Sequence, residues 1–328
     1  MEQLRSKNPL IIAEAGVAHF GELEKAFKLV DMAVDGGANY FKLQHYSTKD
    51  LYSYHMVEWR DRMKKKEVSD DFILEVYKYC LKKDIEFVLT PHTESALDVI
   101  KKINPPFIKI GSGELGNFPF LDKIKLLDKH IVISTGMHDK EDISRLVENF
   151  ANYKPGITLL HCTTSYPTPT HSRNLKAITT LKAEYPSIRI GYSDHTDSFT
   201  SSIIAVALGA EIIEKHISLD FNIKNAQDWK VSCGPNNFKE YCQVLAESYE
   251  SISNGALLVQ QAENQSMDWA IKRSIAVKDI QIGETLNYSL FTANRCNEGI
   301  PISKVNKYIG KVIKSTVQAG DPICESYF

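Results

Sequence analysis

The sequence predicts an α/β fold, a closed (β/α)8 barrel followed by a small β-rich domain. Three observations lead there. Eight short, apolar, β-prone runs alternate with longer amphipathic runs, an order that implies a parallel sheet. Eight is also the number with which such a barrel closes, and a final helical pattern near 237–253 completes the last unit. An open doubly wound sheet is disfavoured because "AEAGVAHFG" lacks the glycine spacing of a dinucleotide fingerprint.

The first strand is "LIIAEAG" (10–16), followed by "ELEKAFKLVDMAVDGG", with apolar residues at helical spacing and a Gly-Gly stop. Strands two to four are "YFKLQHY" (40–46), "EFVLTPH" (86–92) and "FIKIGS" (107–112). Strands five to eight are "HIVISTG" (130–136), "ITLLHCT" (157–163), "RIGYSD" (189–194) and "EIIEKHIS" (211–218). The barrel is placed at 1–253 and a polar, weakly periodic linker at 254–272. The remaining residues, 273–328, contain the short β-prone pieces "RSIAVKDIQIGETL" and "IGKVIKSTVQAGDPI". So few residues make a small core, and the segment is expected to lean on a partner surface.

Net charge of −2 and a pI near 6.6 give no footprint for nucleic acid or an anionic membrane. The run "MKKKE" (63–67) reads as a solvated local patch. No stretch approaches the ~18 apolar residues of a membrane span, and the N-terminus has no apolar signal core. Six scattered cysteines without a Cys-x-x-Cys pair argue against a zinc knuckle or disulfide scaffold, and fit a reducing cytoplasm.

In a barrel the C-terminal strand ends converge on one mouth, where catalysis sits. Every strand here ends on residues able to do chemistry: Glu14; Lys42 and Gln44; Thr90 and His92; Lys109, Ser112 and Glu114. Ser134 and Thr135, His161, Thr164 and Tyr166, Ser193 to His195, and Lys215 and His216 complete the series. Polar groups on inward faces cost free energy unless paired, so their gathering at one end implies a ligand. Lysines with Thr90, Ser112, Ser134, Thr164 and Ser193 suit a phosphate. His195 and His216, ending neighbouring strands, suit a divalent metal with positions left for water and substrate. Such a two-ligand site is weak and fits Mn2+, with Mg2+ or Co2+ also possible. Glu14 and Glu114 remain for proton handling or hydroxyl orientation.

The stretches "IIAEAGVAHFG", "FIKIGSGEL", "VISTGM", "LLHCTTSYPTP", "GYSDHT" and "AVALGAEIIEKHISLD" resemble the phosphoenolpyruvate-dependent sialic (nonulosonic) acid synthases. The C-terminal segment is similar to that family's antifreeze-like (SAF) domain. The resemblance implies a metal-dependent condensation of phosphoenolpyruvate with an N-acylated mannosamine-type sugar, of the N-acetylneuraminate or legionaminate kind. It implies His195 and His216 on the metal, with Glu14 beside it. It puts Lys42, Thr90, Lys109, Ser112, Ser134, Thr164 and Ser193 on phosphoenolpyruvate. Gln44, Glu114, Tyr166 and Asp228 would face the sugar. It also implies a domain-swapped homodimer whose lid brings Arg295, in "NRCNEG", to the N-acyl group.

The sequence departs from the family pattern at Ala18 and Phe20, at "TPHTES", at the Arg295 loop and at "QDW" (227–229), changes that read as clustered around the sugar. Two alternatives stand beside this reading. One is a Schiff-base aldolase using Lys109 or Lys42, and the other a non-catalytic sugar-binding factor in spore-coat or surface-polysaccharide assembly.

Overall fold

The computed structural model describes residues 9–328 except 225 and 253. The chain divides into two compact units between residues 253 and 254.

In the first unit, strands β1 (Leu10–Gly16), β2 (Tyr40–His45), β3 (Glu86–Pro91) and β4 (Phe107–Ile110) are followed by β5 (His130–Ser134), β6 (Ile157–Cys162), β7 (Arg189–Asp194) and β8 (Ile212–His216). They pair in chain order, all parallel, and β1 closes the barrel on β8 with Glu14 opposite His216. The strands are covered on both faces, which is why they read as continuous apolar runs. Inside, Leu10, Ile12, Tyr40, Val88, Phe107, Val132, Leu160 and Ile212 fill the barrel away from its mouth. A larger apolar cluster lies between the strands and the surrounding helices. Gly191 is required by this packing, because a Cβ there would come within 2.4 Å of the Ile212 carbonyl and 2.5 Å of Leu160.

The expected first helix runs Leu23–Gly36 and is stopped by Gly37, whose φ of +84° closes the end with a bond to Val34 O. The last barrel helix is Phe238–Ile252, and its Phe238 ring fills the space above Gly36.

In the second unit, β9 (Lys272–Ala276) pairs antiparallel with β10 (Phe291–Arg295). Its own apolar cluster includes Ala276, Ile280, Leu286, Ile300, Ile313 and Ile323. Part of the stretch expected as linker is helical, Asn264–Ala270. Among the described residues no helix is long and apolar enough to cross a membrane.

Candidate active site

Strand parity decides which polar side chains enter the barrel. On β8, Ile212, Glu214 and His216 share the inward face, so Lys215 between them points outward. That corrects the placement of Lys215 at the mouth. Thr135 and His161 are likewise outside the cavity, bonded to Leu160 O and Arg173 O. The same parity brings in Glu214 and Cys162, which are not among the residues expected from the strand ends. The signal was present, since Glu214 precedes His216 by two, and Cys162 stands between Leu160 and Thr164 on alternate positions.

A cavity of about 420 Å3 opens over the apolar barrel filling. Of the residues in this unit that the resemblance assigns to metal, phosphoenolpyruvate or sugar, all but Glu114 line it. Glu114 instead accepts a bond from Asn117 at 2.8 Å and faces His92 at 3.8 Å, because the 3-10 turn Ser112–Glu114 carries it off the cavity wall. Arg295 belongs to the second unit, at the end of β10, with its guanidinium 5.5 Å from the Trp269 ring. Among the departures from the family pattern, His92, Gln227 and Asp228 line the cavity, whereas Ala18 and Phe20 do not.

The floor is a buried four-membered charge network. Lys42 Nζ lies 3.0 Å from Glu14 Oε2 and 3.3 Å from Glu214 Oε2, and donates to Thr90 Oγ1 at 3.0 Å. Lys109 Nζ lies 3.6 Å from Glu214 Oε1 and donates to Ser134 Oγ at 2.7 Å. Ser193 donates to Glu214 at 2.8 Å, and Gln44 to Glu14 at 2.7 Å. The two ammonium groups respond differently. Burial disfavours the Lys42 charge, yet Glu14 and Glu214 outweigh it and raise its pKa. Lys109 is pushed down by burial, with Glu214 compensating only in part and Lys42 repelling. Glu214 is driven down to about 2 despite its burial, by Lys109, Lys42 and the Ser193 hydroxyl. It is therefore a carboxylate whose work is to hold two lysines.

Beside this floor stand the two histidines, ring centroids 5.3 Å apart. His195 Nδ1 is 2.9 Å from Thr163 O, a group that can only accept, so the proton sits on Nδ1. Nε2 keeps its lone pair, facing the Tyr166 hydroxyl at 3.1 Å. The His216 side chain forms no hydrogen bond among the described residues. One imidazole with its tautomer set by a backbone carbonyl, next to another that makes ring contacts with Tyr166 and His195 but no side-chain hydrogen bond among the described residues, fits a divalent cation. No group of three or more His, Cys, Asp or Glu among the described residues is arranged to hold one. The donor set thus suits an exchangeable ion whose other positions go to substrate and water.

Residues 29–256 match the model of the NeuB family. The chain is 34% identical to the N,N'-diacetyllegionaminic acid synthase of Campylobacter jejuni, over 97% of this chain and 100% of that one. It is 28% identical to the human N-acetylneuraminate-9-phosphate synthase, over 96% of this chain and 91% of the other. The crystal structure of N-acetylneuraminic acid synthetase from Leptospira borgpetersenii, in complex with citrate, superposes with a TM-score of 0.75 at 32% identity. That match covers 80% of this chain and 91% of the other. Barrel, charge network and paired imidazoles accordingly belong to a member of the NeuB family, an enzyme of the sialic acid synthase type.

Proposed function

We propose that this enzyme condenses phosphoenolpyruvate with an N-acylated mannosamine-type sugar, with a divalent ion, Mn2+ foremost, held by His195 and His216. The observation that carries the reading is the pair of buried lysines, fixed by two glutamates and ringed by hydroxyls, directly beside two available imidazoles. Before any ligand arrives, Glu14 and Glu214 outweigh the burial of Lys42 but offset that of Lys109 only in part. A phosphate and carboxylate arriving there would add negative charge where Lys109 is under-compensated, which favours binding and strengthens the hydroxyl contacts.

In the reaction, C3 of the enol bonds to the sugar's aldehyde carbon and the new hydroxyl takes up a proton. Water adds at C2, and the C–O bond to phosphate breaks to leave the 2-keto acid and free phosphate. Lys42, Lys109, Thr90, Ser112, Ser134, Thr164 and Ser193 bind and orient the enol phosphate. Glu14, Gln44, Tyr166 and Asp228 face the sugar. A bound divalent ion would supply Lewis acidity to a carbonyl. Gly136 belongs to the same cradle, since a Cβ there would come 2.4 Å from Thr164 Oγ1 and 2.9 Å from Ser112 Oγ. The C-terminal unit we read as an antifreeze-like lid in a domain-swapped homodimer, with the exposed Arg295 meeting the N-acyl group.

The test is product mass spectrometry with phosphoenolpyruvate and a panel of N-acyl hexosamines. A nine-carbon acid is expected, with activity lost in EDTA and restored by Mn2+. His195→Ala and His216→Ala should lower Mn2+ affinity and turnover together. Wild-type activity of either variant in metal-limited buffer removes the ligand assignment. Phosphoenolpyruvate labelled with 18O at the bridge should deliver its label to phosphate, and label retained in the sugar acid would refute C–O cleavage.

Lys109 supports a second reading, because an ammonium destabilised by burial is what a Schiff-base lysine needs. Borohydride trapping with substrate separates the two, and a trapped Lys109 adduct would replace the proposal above.

A further inference from the structure

A second cavity, of about 860 Å3, lies on the outer side of β5 and β6, where the helices Lys140–Asn149 and Ala177–Glu184 line it. That volume suits a small-molecule ligand. Ile133 pairs with Leu159 and Ser134 with Leu160, a register that sets Thr135 beside His161 on the outward face of the strands. Thr163 follows two residues on. Each of these side chains has given its proton to a backbone carbonyl. Thr135 Oγ1 donates to Leu160 O at 3.2 Å, Thr163 Oγ1 to Ser172 O at 3.2 Å, and His161 Nε2 to Arg173 O at 2.9 Å. His138, in the loop after β5, likewise donates from Nδ1 to Gly136 O at 2.6 Å. What these groups keep for the cavity is lone pairs, on two hydroxyl oxygens, Nδ1 of His161 and Nε2 of His138. His161 is only 8% exposed, and burial lowers its pKa, so the ring is uncharged at neutral pH.

A wall of acceptors selects a ligand that brings the hydrogens. An ammonium would bring them too, but burial already disfavours a positive charge at His161, and the carboxylates lining the cavity are engaged. Asp139 Oδ1 accepts from Asp142 N at 3.0 Å, and Glu184 accepts from Lys140. The two helices contribute Ile143 and Leu181, an apolar surface for C–H groups. Neutral hydroxyls beside C–H faces describe a sugar ring.

We propose that this outer cavity is a second carbohydrate site, separate from the catalytic one, which takes a neutral pyranose whose hydroxyls donate to Thr135, His161 and Thr163. The site does not depend on the reaction proposed above, because none of these three acceptors lines the catalytic cavity. The two cavities do share Met137, Cys162 and Thr164, so a ligand in the outer one rests against the back of the catalytic wall.

Saturation-transfer NMR on the full chain with D-mannose, D-mannosamine and D-mannuronate presents one ring as neutral, cationic and anionic. Mannose should bind saturably and at least ~5-fold tighter than either charged ring, since only the charged rings must be desolvated without a partner. Thr135→Val removes one acceptor while Leu160 O keeps its bond from the backbone N–H of residue 135 at 3.0 Å, so the fold is spared. It should weaken mannose binding ~5-fold, the worth of one hydrogen bond. Thr180→Trp, at an exposed position of the cavity lining, should abolish binding by filling the space. Gln44→Ala, inside the catalytic cavity, should leave it unchanged. Binding lost in Gln44→Ala, or kept in full by both Thr135→Val and Thr180→Trp, would place the sugar elsewhere and overturn the second site. Equal or tighter binding of mannosamine or mannuronate overturns the neutral assignment. No saturable binding of mannose overturns the site altogether.

Discussion

Two charged networks stand back to back across β7 and β8, separated by the thickness of one strand. Facing out, Asp194 is saturated. Its Oδ1 accepts from Thr196 N at 2.8 Å and Tyr192 OH at 3.4 Å, and its Oδ2 from Ser202 at 2.7 Å and Lys215 at 3.0 Å. Lys215 donates in turn to Thr196 O at 2.6 Å, and Ser202 meets the Tyr241 hydroxyl at 2.7 Å. Facing in, Glu14 Oε2 and Glu214 Oε2 are buried without a hydrogen-bond partner, although lysines stand at ion-pair distance. The outward network is complete as it stands. The inward one has capacity left over at the edge of a cavity, which is the condition of a binding site. Neighbouring residues in "SDH" and "EKH" therefore serve opposite ends, one side chain for the fold and the next for chemistry.

Breaking each network should give opposite signatures. The largest effect is expected at Lys109→Met, with turnover falling about 10^3-fold as one preorganised cation is lost, and little change in Tm. A matching loss of stability would mean the inward network is structural too. Lys215→Met should do the reverse. It leaves Asp194 charged and buried, which costs about 3–5 kcal/mol in denaturant unfolding, while turnover per folded molecule stays near wild type. Stable but inactive protein would move this pair into the catalytic machinery.

A third measurement sharpens the structural side. His19 is fully buried, accepts from Gly21 N at 2.9 Å, and has its pKa lowered from 6.5 to about 4, first by burial and then by Lys66. Because the unfolded chain binds the proton more readily, this neutral ring's stabilisation is complete above pH 6.5 and drains away as pH falls toward 4. The loss is about 3 kcal/mol. Urea midpoints across that window should drop for wild type and flatten for His19→Gln, and parallel curves would contradict it. The smallest effect is expected at Arg295→Ala, a rise of about 10-fold in KM for the sugar with KM for phosphoenolpyruvate barely moved. Equal rises in both would remove Arg295 from the sugar.

Much of the site was legible because barrel strands obey two simple periodicities. Apolar runs of strand length marked β1 to β8 within a residue or two, and alternation within them told inward from outward. Reading that alternation strictly would have admitted Glu214 and Cys162 and turned Lys215, Thr135 and His161 away, since all five follow from counting in twos from Leu160, Val132 and Ile212. Glu114 was harder to place. It lies past the end of β4 in a 3-10 turn, where strand parity no longer applies.

Local sequence by itself determined the strand and helix order, the barrel count and the chemical character of each strand end, because these depend on spacing along one segment. Only the tertiary structure decided that Glu14 closes onto His216 and that Glu214 bridges Lys42 and Lys109. Those meetings join residues far apart in the chain through barrel closure and loop paths, and no local pattern carries the distance between two elements that touch only after folding.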